Sequence, residues 1–514
     1  MIDATPLLRI HARRRLRTLA SENVTASQRA QLLSLIRRAA HTKFGRDHRF
    51  DAIRDVADFQ AAVPLRRYEQ MWREYWQPEF PVLKDRTWPG TIPFFALSSG
   101  TSAGASKYIP VSHEMNRANS RAASDLLVHH MANHARSHVL GGKIFMLGGS
   151  TELTRLADGI YGGDLSGIAA FEVPVWARRF TFPPPELALI ADWERKVEAI
   201  STAVLDQDIR VIAGTPSWLL IFFEHLFRRR PHLPPRLASF FPNLEMLVHG
   251  GVNFAPYRPQ FEQLLQGTRA EPRESYAASE GFIAVADRGP SDGMRLMTDN
   301  SLFYEFVPLA ELASENPTRH WAGNIERGTN YAILITSCAG LWAYVLGDTV
   351  RFVETSPPRL LVTGRISYSL SSFGEHLTGE EIELAVTQAT AAIGARVSDF
   401  SVGSLFPDQQ RARGCHLYVV EFSSPPPIAA QSKSFIEVID RELCRRNDDY
   451  RAHRSGGFGM DPPQLVVVQH GTFEAWMKSR GRLGGQNKVP RIITDQALFE
   501  SLRSFCGDRT VISA

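Results

Sequence analysis

The sequence predicts an α/β protein: a large N-terminal domain of α/β layers with a β-rich subdomain, then a smaller α+β C-terminal domain. Three observations carry this. Between residues 92 and 281, short apolar runs alternate with helical segments, and glycines follow the strand ends. From 302 to 363, short β-rich runs separated by turn residues replace that alternation, as in an antiparallel subdomain. After Thr363-Gly364-Arg365 the pattern restarts, with Thr378-Gly379-Glu380-Glu381 as a capping box. The spacing therefore divides the chain into 1–365 and 366–514.

The elements follow in order. Leu7, Leu8, His11, Leu16 and Leu19, then Leu32, Leu33, Leu35 and Ile36, recur at helical spacing and predict one or two helices over 6–41. The arginines among them read as a solvated face, with a membrane-surface or nucleic-acid arm as the alternative. Phe44-Gly45 reads as a turn. Residues 92–97 form an apolar strand, and Ser112 caps a helix over 113–134. A second strand covers 143–147, and 159–167 reads as a glycine-rich loop. Helices are predicted over 192–205, 217–229 and 261–265, and strands over 211–214, 244–248 and 273–277. Short strands follow at 302–308, 331–336, 341–346, 349–354 and 360–363. The last region reads as helix 381–391, strand 416–422, helix 435–446 and strand 465–469.

The composition narrows the function classes. A chain of 514 residues, 44% hydrophobic, has ample length for a large core. Its 58 basic and 54 acidic residues leave a net charge of +4, which demands no nucleic acid. The four cysteines are far apart with no C-x-x-C, so neither a zinc site nor a disulfide framework is expected. That usage fits a reducing, cytoplasmic setting. Arg9, Arg13, Arg14, Arg15 and Arg17 precede no apolar h-region, so no secretory signal is expected. No apolar run reaches the roughly eighteen residues of a membrane span. No obligatory protein partner is evident.

Residues 98–107, Ser-Ser-Gly-Thr-Ser-Ala-Gly-Ala-Ser-Lys, are the stretch richest in chemistry. Glycine lets backbone N–H groups approach a ligand, and consecutive inward N–H groups form an anion-binding nest. Ser98, Ser99, Gly100, Thr101 and Ser102 are the candidate contacts, and Lys107 adds a mobile positive charge that suits phosphate. The composition also fits a flexible surface loop. Neither G-x-x-x-x-G-K-[ST] nor G-x-G-x-x-G is present, so any phosphate loop here is of another type. Ser98 and Ser99 lack a G-x-S-x-G context and do not read as nucleophiles.

Gly250-Gly251 and 279–281 also follow strands, and ligands of α/β sheets gather outside the carboxyl ends of strands. Tyr276, followed by Ala277, offers an aromatic face for a purine. Ser279 adds a hydroxyl, and Glu280 a carboxylate able to hold Mg²⁺ against phosphates. Asp348, just past Gly347, suits the two hydroxyls of a ribose. Each of these also fits an ordinary loop or turn. Lys488, in a glycine-bounded loop, reads alone as a solvent-facing lysine. His249 and His376 are not spaced as a metal pair.

Together these stretches resemble a known motif series. Ser-Ser-Gly-Thr-Ser-Ala-Gly-Ala-Ser-Lys-Tyr-Ile-Pro (98–110), Ser-Tyr-Ala-Ala-Ser-Glu-Gly (275–281), Tyr-Val-Leu-Gly-Asp (344–348) and Gly-Gln-Asn-Lys-Val-Pro-Arg (485–491) look like those of the auxin-responsive acyl acid–amido synthetases. These are plant enzymes with bacterial relatives, in the adenylate-forming superfamily of acyl-CoA ligases and luciferases. Further matches stand at 301–308, 337–342 and 469–473, in the same order.

The resemblance implies a two-step reaction. A carboxylic acid and ATP, with Mg²⁺, form an acyl-adenylate and pyrophosphate; an amino acid's amine then attacks the acyl carbon, releasing AMP. By matching position, Ser98, Ser99 and Thr101 would contact phosphate, Tyr276 would lie against adenine, and Asp348 would hold the ribose. Ser279 and Glu280 would stand near phosphate and metal, and Lys107, Lys488 and His376 are the candidate catalytic residues. Arg365 falls near the domain hinge, and Lys488 would come from a mobile lid domain. His376 stands where the family commonly has a lysine. Leu126 falls where a plant-type arginine would meet the acyl substrate, so Ala122, Ala123, Leu126, Leu127 and His130 imply a more apolar pocket. An acyl-CoA or carrier-thiol ligase using the same adenylate, and a non-catalytic nucleotide-binding homologue, are the alternatives.

Overall fold

The computed structural model describes the chain apart from residues 1–2, 100–105, 149–152, 176, 191–192, 252–253, 255–256, 290–291, 313, 367–368, 371, 373–374, 376, 407–412, 424–426, 448–449, 452–453, 455–459, 483–487 and 508–510. It divides into two compact units. One holds Met1–Asn253 and Gln260–Val362, the other Phe254–Pro259 and Thr363–Ala514.

A twelve-stranded sheet runs through the large unit. From Thr181–Phe182 it passes through Lys143–Leu147, Ile209–Gly214 and Met246–Gly250 to Glu271–Ala278, all parallel. Beyond Glu271–Ala278 it continues through Gly281–Val285, Met294–Leu296, Pro358–Arg365, Tyr344–Thr355, Asn330–Ser337 and Leu302–Pro308 to His320–Trp321. The pairings on this side are antiparallel. The β-rich stretch is therefore half of one sheet, because its edge pairs with the last parallel strands rather than closing separately. The runs expected at 341–346 and 349–354 form one strand, Tyr344–Thr355. It carries a bulge: Val345 and Thr349 face Leu334 and Ala332, so four residue steps oppose two.

The antiparallel half curls strongly. The Tyr304 phenol donates to the carbonyl of Ile283 at 3.4 Å, although their strands are five steps apart in the sheet. Five steps of a flat sheet would span about 24 Å. The enclosed core includes Leu302, Tyr304, Phe306 and Ile283, and it continues into Phe44, Phe59 and Trp342.

A second sheet has the order Ser106–Val111, Phe94–Ser99, Ile160–Gly163, Thr154–Ala157. Phe94–Ser99 and Ser106–Val111 thus pair as the two arms of an antiparallel hairpin in which Ser98 faces Lys107, and a second strand stands between the first strand and the helix. Pro110 is tolerated in Ser106–Val111 because that strand is an edge. The glycine-rich stretch from 159 is also not simply a loop: Gly159 turns a hairpin, and the helix Leu165–Phe171 follows. Phe44-Gly45 lies within the short helix Lys43–Asp47.

The helix His113–Asn133 starts where expected, with the Ser112 hydroxyl accepting from the Met115 N–H at 3.0 Å and donating to the Cys338 carbonyl at 2.6 Å. Two N-terminal helices, Thr5–Ala20 and Val24–Ala39, pack on the same unit. Buried Gln28 donates to the carbonyls of Thr298 (2.7 Å) and Leu302 (2.9 Å) and accepts from the Tyr304 N–H (3.0 Å). One of the arginines expected on a solvated face is instead a clamp. Arg15 pairs with Asp125 at 2.7 Å and Asp299 at 2.5 Å.

The smaller unit has a five-stranded sheet in the order Ile492–Ile493, Val397–Leu405, Cys415–Phe422, Gln464–Val468, Val511–Ser513. One apolar core holds residues of the helices Gly379–Ile393 and Ala429–Arg446, and another those of Thr472–Ser479 and Gln496–Cys506. The capping box is present: the Glu381 N–H donates to the Thr378 hydroxyl at 3.3 Å, and the Thr378 N–H to the Glu381 carboxylate at 2.8 Å. Among the described residues, no helix is long and apolar enough to cross a membrane.

Arg15→Ala is expected to destabilise the large unit by about 2–4 kcal/mol, because it strands a nearly buried Asp125. Burial raises the pKa of Asp299, but its bonds to Arg15 outweigh burial and lower it. The stabilisation is full above pH ~4, the ordinary carboxylate value, and is lost as pH falls through the lowered pKa. Urea denaturation should show the wild-type advantage at pH 7 and its decline in acid.

Candidate active site at the carboxyl edge of the sheet

Glu271–Ala278 pairs parallel on one side and antiparallel on the other, and its carboxyl end carries most of the predicted nucleotide residues. Gly250 lies opposite Ser275. A Cβ on Gly250 would stand 2.3 Å from the Ser275 carbonyl oxygen, so glycine is required for this approach. The Ser275 hydroxyl donates to the His249 carbonyl at 3.3 Å. Gly251 follows with φ +81°, turning the chain away from the strand end.

Strand alternation buries Tyr276 and exposes Ala277. The Tyr276 phenol donates to Asp348 Oδ2 at 2.7 Å. Asp348 reaches it from the bulge of Tyr344–Thr355, where Gly347 has φ +101°. Ser279 and Glu280 are both buried. Glu280 Oε1 accepts from the Tyr344 phenol at 3.4 Å. Burial, and then the Glu280 charge, push the Tyr344 phenol far up, so it remains protonated and able to donate. Two phenol–carboxylate pairs thus join the strands of Tyr276 and Asp348.

The hairpin base is tied to the same region. Arg66 bridges the strand of Tyr344 through its N–H to Ala343 (3.2 Å) and its carbonyl to Val345 (2.9 Å). Two residues on, the Tyr68 ring lies 5.2 Å from Lys107 Nζ, and its phenol oxygen accepts from the Tyr108 N–H at 3.0 Å. Burial pushes the Tyr68 phenol up to about 12. Tyr68 and Tyr344 were not singled out from the sequence. Tyr344 had a signal, its place in the same motif as Asp348; Tyr68 had none, because its partner Lys107 is distant in the chain.

Gly100, Thr101, Ser102 and His376, and the side chains of Ser98 and Ser99, lie outside the described residues. Arg365 and Lys488 belong to the smaller unit. There the segment after Lys488 is anchored: Pro490 accepts from the Ser401 hydroxyl at 2.7 Å, and Arg491 pairs with Asp399 and donates to the Tyr257 phenol at 2.8 Å. Ala122 and Leu126 are buried in a cluster with Leu8, Ala12 and Val248; Leu127 packs against it, and Ala123 is exposed. His130 stands apart from that apolar group, with its ring between Glu245 and Glu271.

Family models match nearly the whole architecture. The GH3 family N-terminal domain matches residues 14–167 and 153–270, the central domain 295–365 and the C-terminal domain 380–497. The chain belongs to the GH3 family. Indole-3-acetic acid-amido synthetase GH3.3 of Arabidopsis thaliana is 25% identical over 342 residues, 62% of this chain and 56% of that protein. Probable indole-3-acetic acid-amido synthetase GH3.9 of Oryza sativa subsp. japonica is 28% identical over 249 residues, 45% of this chain and 55% of that protein. The chain thus spans about half the length of the curated relatives it matches. Among solved structures, GH3.15 acyl acid amido synthetase superposes with a TM-score of 0.80 at 18% identity, over 97% of this chain and 96% of that one. A 2-hydroxyisobutyryl-CoA ligase in its post-adenylation state, in complex with 2-HIB-AMP, gives 0.60 at 16% identity, over 92% and 90%. The GH3 fold therefore lies within a fold shared by adenylate-forming ligases.

Gly250→Ala is expected to lower stability by about 1–3 kcal/mol, since a backbone carbonyl must move to admit the methyl group. Thermal denaturation should show the loss; an unchanged midpoint would mean the strands separate there at no cost.

Proposed function

We propose that this GH3 protein is an AMP-forming ligase that joins a carboxylic acid to the amine of an amino acid. The observation that carries this reading is the Tyr276–Asp348 pair beside the Tyr344–Glu280 pair at the carboxyl edge of the sheet. In the first step the acid's carboxylate oxygen attacks the α-phosphorus of ATP and pyrophosphate leaves. In the second the amine attacks the acyl carbon and AMP leaves. A carboxylate oxygen is a poor leaving group and AMP a good one, so stabilising phosphate charge is the main catalytic task.

The roles follow from the positions that match the family's motifs and from the chemistry of each group. Asp348 accepts from the ribose hydroxyls, and its bond to the phenol fixes the Tyr276 ring as the face for adenine, with Ala277 alongside. Gly250 and Gly251 let main chain approach the nucleotide. Ser98, Ser99, Gly100, Thr101 and Ser102 supply donors to phosphate oxygens, Ser279 adds a hydroxyl, and Lys107 offsets their charge. Glu280 is a hard oxygen donor held by a neutral phenol, which suits Mg²⁺; bound with ATP, the ion supplies further charge neutralisation on the phosphates. We assign adenylation to 1–365 and a lid role to 366–514, with Arg365 near the hinge, His376 toward phosphate and Lys488 toward the amine. Ala122, Ala123, Leu126 and Leu127 favour an acid with an apolar body; His130 is left out because its ring is engaged by two carboxylates. The four cysteines are free, as suits a cytoplasmic enzyme.

An acid panel with ATP and Mg²⁺ tests the reading. Acid-dependent pyrophosphate release, then an amide product only with an amino acid present, is the expected result. No acid-dependent AMP or pyrophosphate with any acid would overturn it. The fold shared with a CoA ligase supports a thiol acceptor as the second reading, and product mass with coenzyme A against amino acids separates the two.

Two variants sharpen the roles. Asp348→Ala should raise the KM for ATP roughly 10- to 100-fold, the worth of hydrogen bonds to a charged group. Lys488→Ala should slow amide formation more than acid-dependent ATP–pyrophosphate exchange; equal losses would remove it from the second step.

A further inference from the structure

A second cluster lies at the opposite edge of the parallel strands. Glu271 opens the strand whose other end carries Tyr276, and Glu245 immediately precedes Met246–Gly250. Five residues along a strand place Glu271 about 17 Å from Tyr276. Above this edge the helix His113–Asn133 ends, bringing His130 and His134 together. They are one helical turn apart, and the His134 N–H still donates to the His130 carbonyl at 2.9 Å. Their ring centroids are 4.6 Å apart.

The rings and one carboxylate converge. Glu271 Oε1 stands 2.9 Å from His134 Nε2 and 3.5 Å from His130 Nδ1. The three ligand atoms lie within 4.8 Å of one another. His130 is buried, with a side chain 2% exposed. Apart from Glu271, neither His130 Nδ1 nor His134 Nε2 meets a polar partner among the described residues. A tetrahedral ion about 2.0–2.1 Å from each ligand would set the ligands about 3.3 Å apart, between the two separations observed. The outer ring nitrogen of His130, Nε2, meets Glu245 Oε2 at 3.4 Å. That is the carboxylate–histidine arrangement that orients a metal-binding imidazole.

The surrounding charges select the kind of ion. Glu245 also accepts from the Ser137 hydroxyl and the His138 N–H, and Arg210 approaches it at 3.5 Å. Arg273 donates to the same Glu271 Oε1 from Nε at 2.7 Å and from a second guanidinium nitrogen, so the ligand oxygen would be shared between the ion and the arginine. With both carboxylates partly engaged by arginine, the site lacks the oxygen-rich set that Ca²⁺ or Mg²⁺ needs, while two imidazoles suit a softer ion. A pocket of about 280 Å³ adjoins the cluster, lined by Asn133, Arg136 and Arg269 among others, with room for a water as fourth ligand.

We propose that His130, His134 and Glu271 bind a single dication of the Zn²⁺ class, with Glu245 orienting His130, so that the metal ties the end of this helix to the amino edge of the sheet. The site does not depend on the proposed ligase reaction.

The test uses the full chain, freed of metal by chelator and titrated with Zn²⁺ and, separately, Co²⁺. The expected result is one Zn²⁺ per chain, a rise in Tm on binding, and intense visible absorption from four-coordinate Co²⁺. His134→Ala is the chosen variant because its side chain is partly exposed, at 39%. It should match wild type in Tm under chelator, lose the Zn²⁺-induced rise, and bind Zn²⁺ at least ~10-fold more weakly. Glu245→Gln should weaken binding by ~10- to 100-fold, as outer-carboxylate changes do. Failure of wild type to bind Zn²⁺, or binding by His134→Ala as tight as wild type, would overturn the proposal.

Discussion

The large unit depends on one strand being able to pair with two different kinds of neighbour. Glu271–Ala278 closes the parallel set and opens the antiparallel one. Its register is pinned at Gly250, where any side chain would drive into the Ser275 carbonyl. A slip of one residue would exchange Tyr276 with Ala277, burying the methyl and turning the phenol outward. The candidate site would then lose its link to Asp348. The requirement for close backbone approach at Gly250 is therefore what sets the side-chain geometry further along.

Buried polar side chains hold the layers around this strand. Gln28 uses its amide N–H groups and its oxygen on the backbone around Leu302–Pro308, which joins Val24–Ala39 to the sheet without leaving a donor unmet. Arg319 grips buried Glu305 with two nitrogens at 2.9 Å each. Arg359 holds partly buried Asp287 through two nitrogens at 2.9 and 2.6 Å. Such pairs gain geometry and charge-assisted strength only when both partners stay in place. Gln28, and Arg319 through its bonds to the carbonyls of Gln60 and Val63, fix where two helices meet an otherwise apolar, and hence permissive, sheet surface.

What could be read from the sequence follows the range of the interactions. Periodicity located the helix His113–Asn133 with its Ser112 cap and the strands Lys143–Leu147 and Leu302–Pro308, because each is fixed by local spacing. Ser106–Val111 was hidden because Pro110 breaks a strand pattern except at an edge, and edge position is a tertiary fact. The union of parallel and antiparallel strands in one sheet, and the Arg15 clamp, likewise depend on pairings far apart in sequence. At the site, Tyr276, Glu280 and Asp348 were legible through motif order, but their phenol partnerships were not. His130 was read as pocket lining and His134 was not singled out, because the carboxylate that joins them lies on a strand far along the chain.

The pairing of Tyr276 with Asp348 also has a geometric cost that the sheet must meet. Four strand steps separate Glu271–Ala278 from Tyr344–Thr355, about 19 Å in a flat sheet. Their side chains nonetheless meet at 2.7 Å. The strand between them, Met294–Leu296, is only three residues long and pairs through two residues on each side. A short central strand leaves its neighbours unpaired toward their ends, so the sheet can curl there, as the Tyr304–Ile283 bond across five steps also requires. Curling draws Tyr276 toward Asp348, while the bulge at Gly347 moves Asp348 out of line with its strand. The shortness of Met294–Leu296 is therefore part of the site: a longer strand would flatten the sheet and pull the phenol from the carboxylate without changing any residue that touches either.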